Sequence, residues 1–185
     1  TIKEKFNNEL KGRKFVISWT SAGNYMRPLS MPHSLVALMP RFGMDVTLAH
    51  PEGFDLRPEI LEMAKKNAAA SGSKFEIVHD MDQACEGADV IYAKGWGPIM
   101  TVGDDDVRGV QMINDNPGWL VDKRRMELGT KDCIYMHCLP ADRDIEVTSE
   151  VMDSPASVIF DEAENRMHTI KALMAMTMGN TMCRR

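Results

Sequence analysis

Long apolar runs and a basic excess are both missing from this sequence of 185 residues. No apolar stretch approaches the roughly 18 residues that a transmembrane helix needs, and no secretory signal peptide is visible. The formal net charge of −5 leaves no surplus of lysine and arginine that could neutralise phosphates. We therefore expect a cytoplasmic protein whose partners are neither nucleic acids nor membranes.

Cysteine is scarce, and its four copies are Cys85, Cys133, Cys138 and Cys183. They form no C-x-x-C pair and no framework typical of secreted proteins, which predicts reduced thiols. A zinc site built from Cys133, His137 and Cys138 is an alternative. Adjacent residues of a strand point to opposite faces, so His137 and Cys138 would not share a metal ion, and we expect no metal.

The glycine fingerprint of dinucleotide-binding proteins, G-x-G-x-x-G, is missing too. The segment after the first predicted strand has one glycine, Gly23, between Ala22 and Asn24. A nicotinamide-dependent dehydrogenase is therefore the weaker alternative, and no cofactor is expected. The chain does contain 44% hydrophobic and 26% charged residues, which is typical of one globular domain with a full core. Its 16 methionines are interpreted as flexible side chains that fill gaps in that core.

Short apolar segments alternate with amphipathic ones, and this alternation predicts parallel strands joined by helices. Apolar strands of this kind are covered on both faces. We therefore predict one α/β domain over residues 1–185, with a Rossmann-like parallel sheet of about five strands. The segments predicted as strands are 14–19, 44–51, 74–80, 89–97, 132–138 and 157–161; helices are predicted at 32–43, 57–72, 81–88, 120–129 and 162–178, and a long loop at 98–118.

The sequence HCLP at His137–Pro140 follows the fifth predicted strand, at the edge where ligands of α/β proteins bind. Pro140 restricts its own φ and favours an extended conformation at Leu139. The carbonyl groups of Cys138 and Leu139 would then be fixed acceptors for an amide NH2 group. The Cys138 thiol is a candidate nucleophile, although His137 as its base would point away. The alternative is a buried cysteine beside a hydrogen-bonded core histidine.

Arg166 lies in the segment DEAENR, which has the pattern of a helix start with Asp161 as N-cap and Glu164 three residues later. An arginine beside a helix N-terminus is a suitable site for an anion or a polarised carbonyl group. The alternative is a surface arginine paired with Glu162 within one helical turn.

Lys94 and Trp96 follow the fourth predicted strand in the segment AKGWG. Lys94 is a candidate partner for a substrate carboxylate, and Trp96 is a candidate apolar wall of the same site. The alternative is a solvated lysine followed by a tryptophan that faces the core.

Two motifs, HCLP at His137–Pro140 and FDEAENR at Phe160–Arg166, resemble the aspartate/ornithine carbamoyltransferase family. The segments WTSAGN, GMDVTLAHPEG and GADVIYAKGWG extend the similarity over nearly the whole chain, as the second, amino-substrate-binding domain. The segments YAKGW and RPLSMP are similar to the knotted branch of N-acetylornithine and N-succinylornithine carbamoyltransferases, and to a group whose substrate is unassigned.

The resemblance implies that a substrate amine attacks carbamoyl phosphate directly, without a covalent cysteine intermediate. It further implies a homotrimer with active sites shared between subunits, and a trefoil knot in the second domain. By the resemblance, Cys138, His137 and Arg166 are catalytic; Cys138, Leu139 and Arg166 bind carbamoyl phosphate; and Asn24, Lys94, Trp96, Leu139, Pro140 and Glu146 bind the amino substrate.

Several departures from the family pattern narrow this interpretation. The S-x-R-T and H-P-x-Q motifs of the family's first domain are missing, which predicts half of an enzyme that is inactive alone. Ala141 stands where ornithine enzymes commonly have arginine, and Glu146 stands where acetylornithine enzymes have lysine. We therefore expect an amino acid or an acylated, ornithine-like amine as substrate, rather than ornithine itself. The alternative is a non-catalytic module of the same fold that binds an amino acid or a partner.

Overall fold

A five-stranded parallel sheet organises residues 1–23 and 26–178, the part of the chain that this computed structural model describes. The strands follow the order β3-β2-β1-β4-β5, and each neighbouring pair is parallel. The predicted α/β class and the sheet of five strands are therefore confirmed. The strands are β1 (Lys14–Trp19), β2 (Asp45–Ala49), β3 (Phe75–Val78), β4 (Val90–Lys94) and β5 (Ile134–Met136).

The helices connect successive strands and cover both faces of the sheet. A 3₁₀ turn continues the second helix and ends at Gly43, whose φ of 76° is readily adopted by a residue without a side chain. None of the helices in the described ranges combines the length and apolar composition that crossing a membrane requires. The helices are α1 (Ile2–Lys5), α2 (Ser30–Leu38), α3 (Pro58–Ser71), α4 (Met81–Cys85), α5 (Ile99–Val102), α6 (Asp106–Asn114), α7 (Lys123–Leu128), α8 (Ser149–Met152) and α9 (Ile159–Met178).

Two buried clusters, one on each side of the sheet, form the core. Side chains alternate along a strand, so Phe15 and Ile17 of β1 join one cluster while Val16 joins the other. Helices α2 and α3 contribute to the first cluster, and helices α4 and α8 contribute to the second. This double coverage explains why the strands are apolar on both faces.

The long loop predicted at 98–118 is wrong, because helices α5 and α6 occupy most of that segment. Its many aspartates and glycines suggested irregular structure, yet Asp105 instead caps α6 by accepting a hydrogen bond from the Arg108 N–H at 3.0 Å. Asp105, one of the residues that suggested a loop, therefore marks the start of a helix.

The sixth strand predicted at 157–161 is also wrong. Ser157 makes one isolated bridge to Tyr135, and helix α9 begins two residues later. The apolar residues Val158 and Ile159 are buried at that helix start, and the Glu162 N–H donates to the Val158 carbonyl at 2.9 Å. Asp161 therefore lies in the first turn and is not the N-cap.

Methionines on α9 do not fill the core, which corrects the interpretation of this residue type for that helix. Met167, Met174, Met176 and Met178 are exposed by 50%, 50%, 60% and 77%. Ile170 and Leu173 are exposed beside them, by 48% and 60%. The second half of α9 thus presents an apolar surface that the described part of this chain leaves uncovered.

Candidate active site

The candidate site lies at the carboxyl edge of the sheet, where β1, β4 and β5 end side by side. Trp19 at the end of β1 is in register with Lys94 at the end of β4. Connections from β1 lead to β2 on one side and from β3 back to β4 on the other, which is the topological switch point where α/β proteins bind ligands. A cleft of about 670 Å³ opens here, lined by Met31, Cys138, Leu139, Pro140, Glu162, Ala163 and Arg166.

A tight turn after β5 shapes one wall of this cleft. The backbone N–H of Leu139 donates to His137 Nδ1 at 2.9 Å, and the peptide bond between Leu139 and Pro140 is cis. Leu139 has a φ of 53°, so the extended conformation that was expected for it is wrong. The backbone must turn back at Leu139 for its N–H to reach the imidazole two residues earlier.

His137 lies beneath this turn and is fully buried. Because Nδ1 accepts the Leu139 N–H, the ring proton lies on Nε2, which is 3.3 Å from Glu146 Oε1 and donates to it. Both ring nitrogens are therefore engaged within the protein. His137 therefore stabilises the turn that contains Cys138 and Leu139.

Glu146 is also fully buried, at the centre of a polar network. Its carboxylate accepts hydrogen bonds from Arg27 Nη1, from the Gly95 N–H and from the Asp142 N–H, each at 2.9 Å. Burial alone would raise the pKa of Glu146, but the hydrogen bond from His137 and these backbone donors lower it to about 2. Glu146 therefore does not line the cleft, and it stabilises the turn after β5 through its hydrogen bonds with His137 and Asp142.

Arg27, which is only 6% exposed, was not among the predicted site residues. Its guanidinium pairs with Asp142 as well as with Glu146, and its carbonyl accepts the Gly97 N–H at 2.8 Å. Arg27 thereby holds the segment between β1 and α2 against the segments that follow β4 and β5. The only available signal was the arginine of RPLSMP, whose acidic partners are more than a hundred residues away in the chain.

Lys94 is 8% exposed at the end of β4, and its Nζ atom lies 4.0 Å from Glu146 Oε1. The alternative of a solvated lysine is therefore not what the structure shows. Trp96 is fully buried, and its indole N–H donates to the Phe54 carbonyl at 2.9 Å. The tryptophan faces the core, as the alternative interpretation proposed, and it does not line the cleft.

The two glycines that flank Trp96 allow close packing of the chain segments around the crevice. A Cβ atom on Gly95 would lie 2.8 Å from the Cβ of Ala22, and one on Gly97 would lie 2.7 Å from the Cβ of Met26. Larger residues at either position would push the segment between β1 and α2 away from β4.

Cys138, Tyr92 and Glu162 meet on the other side of the turn. The Tyr92 hydroxyl donates to Glu162 Oε1 at 2.8 Å. Burial, followed by the Glu162 carboxylate and the Cys138 thiol, raises the pKa of the Tyr92 hydroxyl above its usual range. Burial also raises the pKa of Glu162, although the Tyr92 hydrogen bond opposes this shift. Glu162 Oε2 is buried and has no hydrogen-bond partner within the described residues.

Arg166 lies one helical turn after Glu162 and lines the same cleft with an exposed side chain. Among the described residues it forms neither a hydrogen bond nor an ion pair, so the alternative of a pair with Glu162 is not formed here. The structure thus brings together Cys138, Leu139, Pro140 and Arg166. Tyr92 was not among the predicted site residues, and Glu162 was considered only as a surface partner of Arg166.

Asn24 falls outside the described residues, as does Cys183. Cys85, Cys133 and Cys138 are free thiols, and no group of three or more metal-binding side chains occurs within the described ranges.

Residues 22–177 match the family described as "Aspartate/ornithine carbamoyltransferase, Asp/Orn binding domain". The chain is 40% identical over 179 residues to the ornithine carbamoyltransferase of Thermococcus kodakarensis, which covers 97% of this chain and 53% of that protein. It is 38% identical over 185 residues to the N-acetylornithine carbamoyltransferase of Xanthomonas campestris pv. campestris, with the same two coverages. YgeW of Escherichia coli (strain K12), whose name describes a carbamoyltransferase, is 36% identical over 198 residues, covering 94% of this chain and 50% of YgeW.

Solved structures of N-acetyl-L-ornithine transcarbamylase share this fold. One superimposes with a TM-score of 0.88 at 36% identity, covering 95% of this chain and 53% of the other. A second, complexed with acetylcitrulline, gives a TM-score of 0.87 at 36% identity, with coverages of 95% and 52%.

The chain spans about half the length of the curated relatives it matches. The family match nevertheless extends over most of the chain, and it includes both the turn after β5 and the start of α9. This chain therefore belongs to the aspartate/ornithine carbamoyltransferase family, through the domain of that family that binds aspartate or ornithine.

Proposed function

We propose that this chain is the amino-substrate-binding half of a carbamoyltransferase, with residues 1–185 forming one domain. The amine nitrogen of an amino acid or of an acylated, ornithine-like substrate attacks the carbamoyl carbon of carbamoyl phosphate. The bond from that carbon to the phosphate oxygen breaks, phosphate leaves with the electron pair, and the amine nitrogen loses a proton. Positioning and electrostatics drive this transfer, and it passes through no covalent cysteine intermediate.

Residues that line the cleft and buried residues next to it have different roles in this proposal. The carbonyl groups of Cys138 and Leu139 accept the two N–H bonds of the carbamoyl group, and Arg166 polarises its carbonyl oxygen. His137 and Glu146 hold the turn, so they serve the catalytic groups by orienting them. Lys94 provides positive charge near the carboxylate of the amino substrate.

One observation supports the proposal most directly: Cys138, Leu139, Pro140 and Arg166 line a single cleft at the carboxyl edge of the sheet. Cys138, Leu139 and Pro140 are consecutive, whereas Arg166 lies more than twenty positions later, and the two groups come from two different motifs typical of the family. The cleft therefore brings amide acceptors and a cation together, as a carbamoyl group requires.

The larger assembly is part of the same proposal. We infer that a first domain supplies the phosphate-binding groups, since the S-x-R-T and H-P-x-Q motifs are missing from these 185 residues. A cytoplasmic homotrimer and a trefoil knot around the RPLSMP segment follow from the family resemblance alone.

Carbamoyl transfer by the full-length protein tests this function. We expect a ureido product from carbamoyl phosphate and at least one amine in a panel of diamines, amino acids and acylated ornithines. A full-length protein that binds an amino acid but turns over no member of the panel would instead support the non-catalytic module.

A further inference from the structure

Glu162 presents an unusual electrostatic situation at the cleft. One of its carboxylate oxygens accepts from the Tyr92 hydroxyl at 2.8 Å, while Oε2 is buried and has no partner among the described residues. A buried acceptor without a donor is costly, because the group has lost its hydration and gained nothing in return. The structure therefore contains a buried oxygen that makes no hydrogen bond with the described residues, although the nearby His137 backbone opposes the rise that burial causes in the pKa of the Glu162 carboxylate.

The nearest suitable donor along the helix is Arg166. Residues four apart on a helix have Cβ atoms about 5–6 Å from each other, and the order Glu before a cation is the favourable one. Both side chains line the same cleft, and the Arg166 guanidinium is exposed and makes no ion pair within the described ranges. An unpaired donor and an unpaired acceptor thus lie one helical turn apart.

Tyr92 fixes the orientation of the Glu162 carboxylate. Its hydrogen bond holds Oε1 toward the core, so the carboxylate cannot rotate freely and Oε2 is the oxygen left for a second donor. Tyr92 itself is a buried residue of β4, where it is in register with Met136 of β5. The carboxylate is therefore a fixed point against which a flexible arginine can be oriented.

We propose that Glu162 is a positioning residue for carbamoyl transfer: its Oε2 atom binds the Arg166 guanidinium when the cleft is occupied, and so directs the remaining N–H groups at the carbamoyl oxygen. Ligand binding displaces water from the cleft, which strengthens the ion pair. An arginine held in this way loses less conformational freedom when the transition state forms. This inference rests on the proposed function.

A double-mutant cycle in the full-length protein tests the inference. We expect Glu162→Gln to lower kcat about 10-fold, the effect of losing one charged hydrogen bond, with a smaller change in the KM for carbamoyl phosphate. In an Arg166→Ala background, Glu162→Gln should change kcat less than twofold, because the group that it orients is gone. The matched control is Glu164→Gln, an exposed carboxylate on the same helix outside the cleft, which should leave kcat unchanged.

Two outcomes would overturn the proposal. One is a Glu162→Gln enzyme with the kcat of the wild type; the other is a 10-fold loss that persists in the Arg166→Ala background, which indicates a structural role independent of the arginine. If Glu162→Gln does not fold, Tyr92→Phe supplies the same cycle by releasing the carboxylate. Failure of the proposed function is distinguishable, because the wild-type full-length protein would then transfer no carbamoyl group.

Discussion

At residue 166, an exposed guanidinium faces a cleft whose walls are a backbone turn and a helix start. Arg166 makes no hydrogen bond or ion pair with the described residues, so the fold does not depend on it. This is the situation expected of a side chain whose partner is a ligand.

Replacing Arg166 with alanine in the full-length protein should therefore lower the rate of the carbamoyl transfer that we propose and leave stability unchanged. Loss of one donor to charge that develops in the transition state typically costs about 2.7–4 kcal/mol, or roughly 10²–10³ in rate. Steady-state kinetics and thermal unfolding measure the two effects. An alanine variant with wild-type kinetics would remove Arg166 from the site.

Substitutions at Cys138 distinguish a role of its thiol from a role of its backbone carbonyl. Substitution by serine or alanine keeps the backbone carbonyl, so we expect activity to fall by one or two decades, about 1.4–2.8 kcal/mol, without being abolished. Mass spectrometry of enzyme quenched during turnover should show no carbamoyl adduct on this peptide. A carbamoyl adduct on Cys138 of the wild-type protein, together with an inactive alanine variant, would establish a covalent mechanism.

At the scale of elements, the turn after β5 depends on the buried ion pair between Arg27 and Glu146, which are 119 positions apart in the sequence. Glu146 holds His137, and His137 holds the Leu139 N–H. Removing the Glu146 charge takes one carboxylate partner from the buried Arg27 guanidinium, and breaking such a buried pair typically costs about 3–5 kcal/mol. We expect this loss for Glu146→Gln, measured by denaturant unfolding near neutral pH, whereas the exposed control Glu52→Gln should show none.

The pH dependence of unfolding provides a second readout of the same variant. The pKa of Glu146 is lowered from 4.5 to about 2 in the folded chain, so the unfolded state binds a proton first as the pH falls. Its contribution to stability is present above about pH 4.5 and is lost as the pH approaches 2. The Glu146→Gln variant should lack this component, and an unchanged acid profile would contradict the assigned network.

Elements whose pattern is local could be predicted from the sequence. β1 extends over the predicted Lys14–Trp19 because a continuous apolar run between polar residues has few other solutions. The segment Val158–Ile159 is equally apolar, but it is buried as a helix start, and periodicity over so few residues cannot distinguish the two. Helix α6 was missed because its caps are the same residues that mark loops.

In the candidate site, too, residues in local motifs could be predicted and residues with distant partners could not. The turn at Cys138 and Leu139 and the arginine at 166 could be predicted because each lies in a short, contiguous motif. Arg27 and Tyr92 could not, since their importance depends on partners brought close only by the fold: Tyr92 and Glu162 are 70 positions apart. The left-handed backbone of Leu139 also depends on an imidazole contact that no propensity predicts.

At the scale of the whole molecule, the chain offers a cation and amide acceptors but none of the family's phosphate motifs. We therefore expect no ureido product from residues 1–185 alone, at substrate concentrations where the full-length protein turns over. A discontinuous or radiometric assay of both proteins side by side measures this difference. Product formed by the isolated chain would show that a first domain is unnecessary.

The uncovered apolar surface of α9 has a chemical consequence. Thioethers such as those of Met174, Met176 and Met178 are accessible to peroxide, whereas Met44 is fully buried. Oxidation turns each exposed thioether into a polar, chiral sulfoxide. The second half of this helix therefore groups several thioethers that oxidants can reach, and their oxidation would convert an apolar surface into a hydrated one.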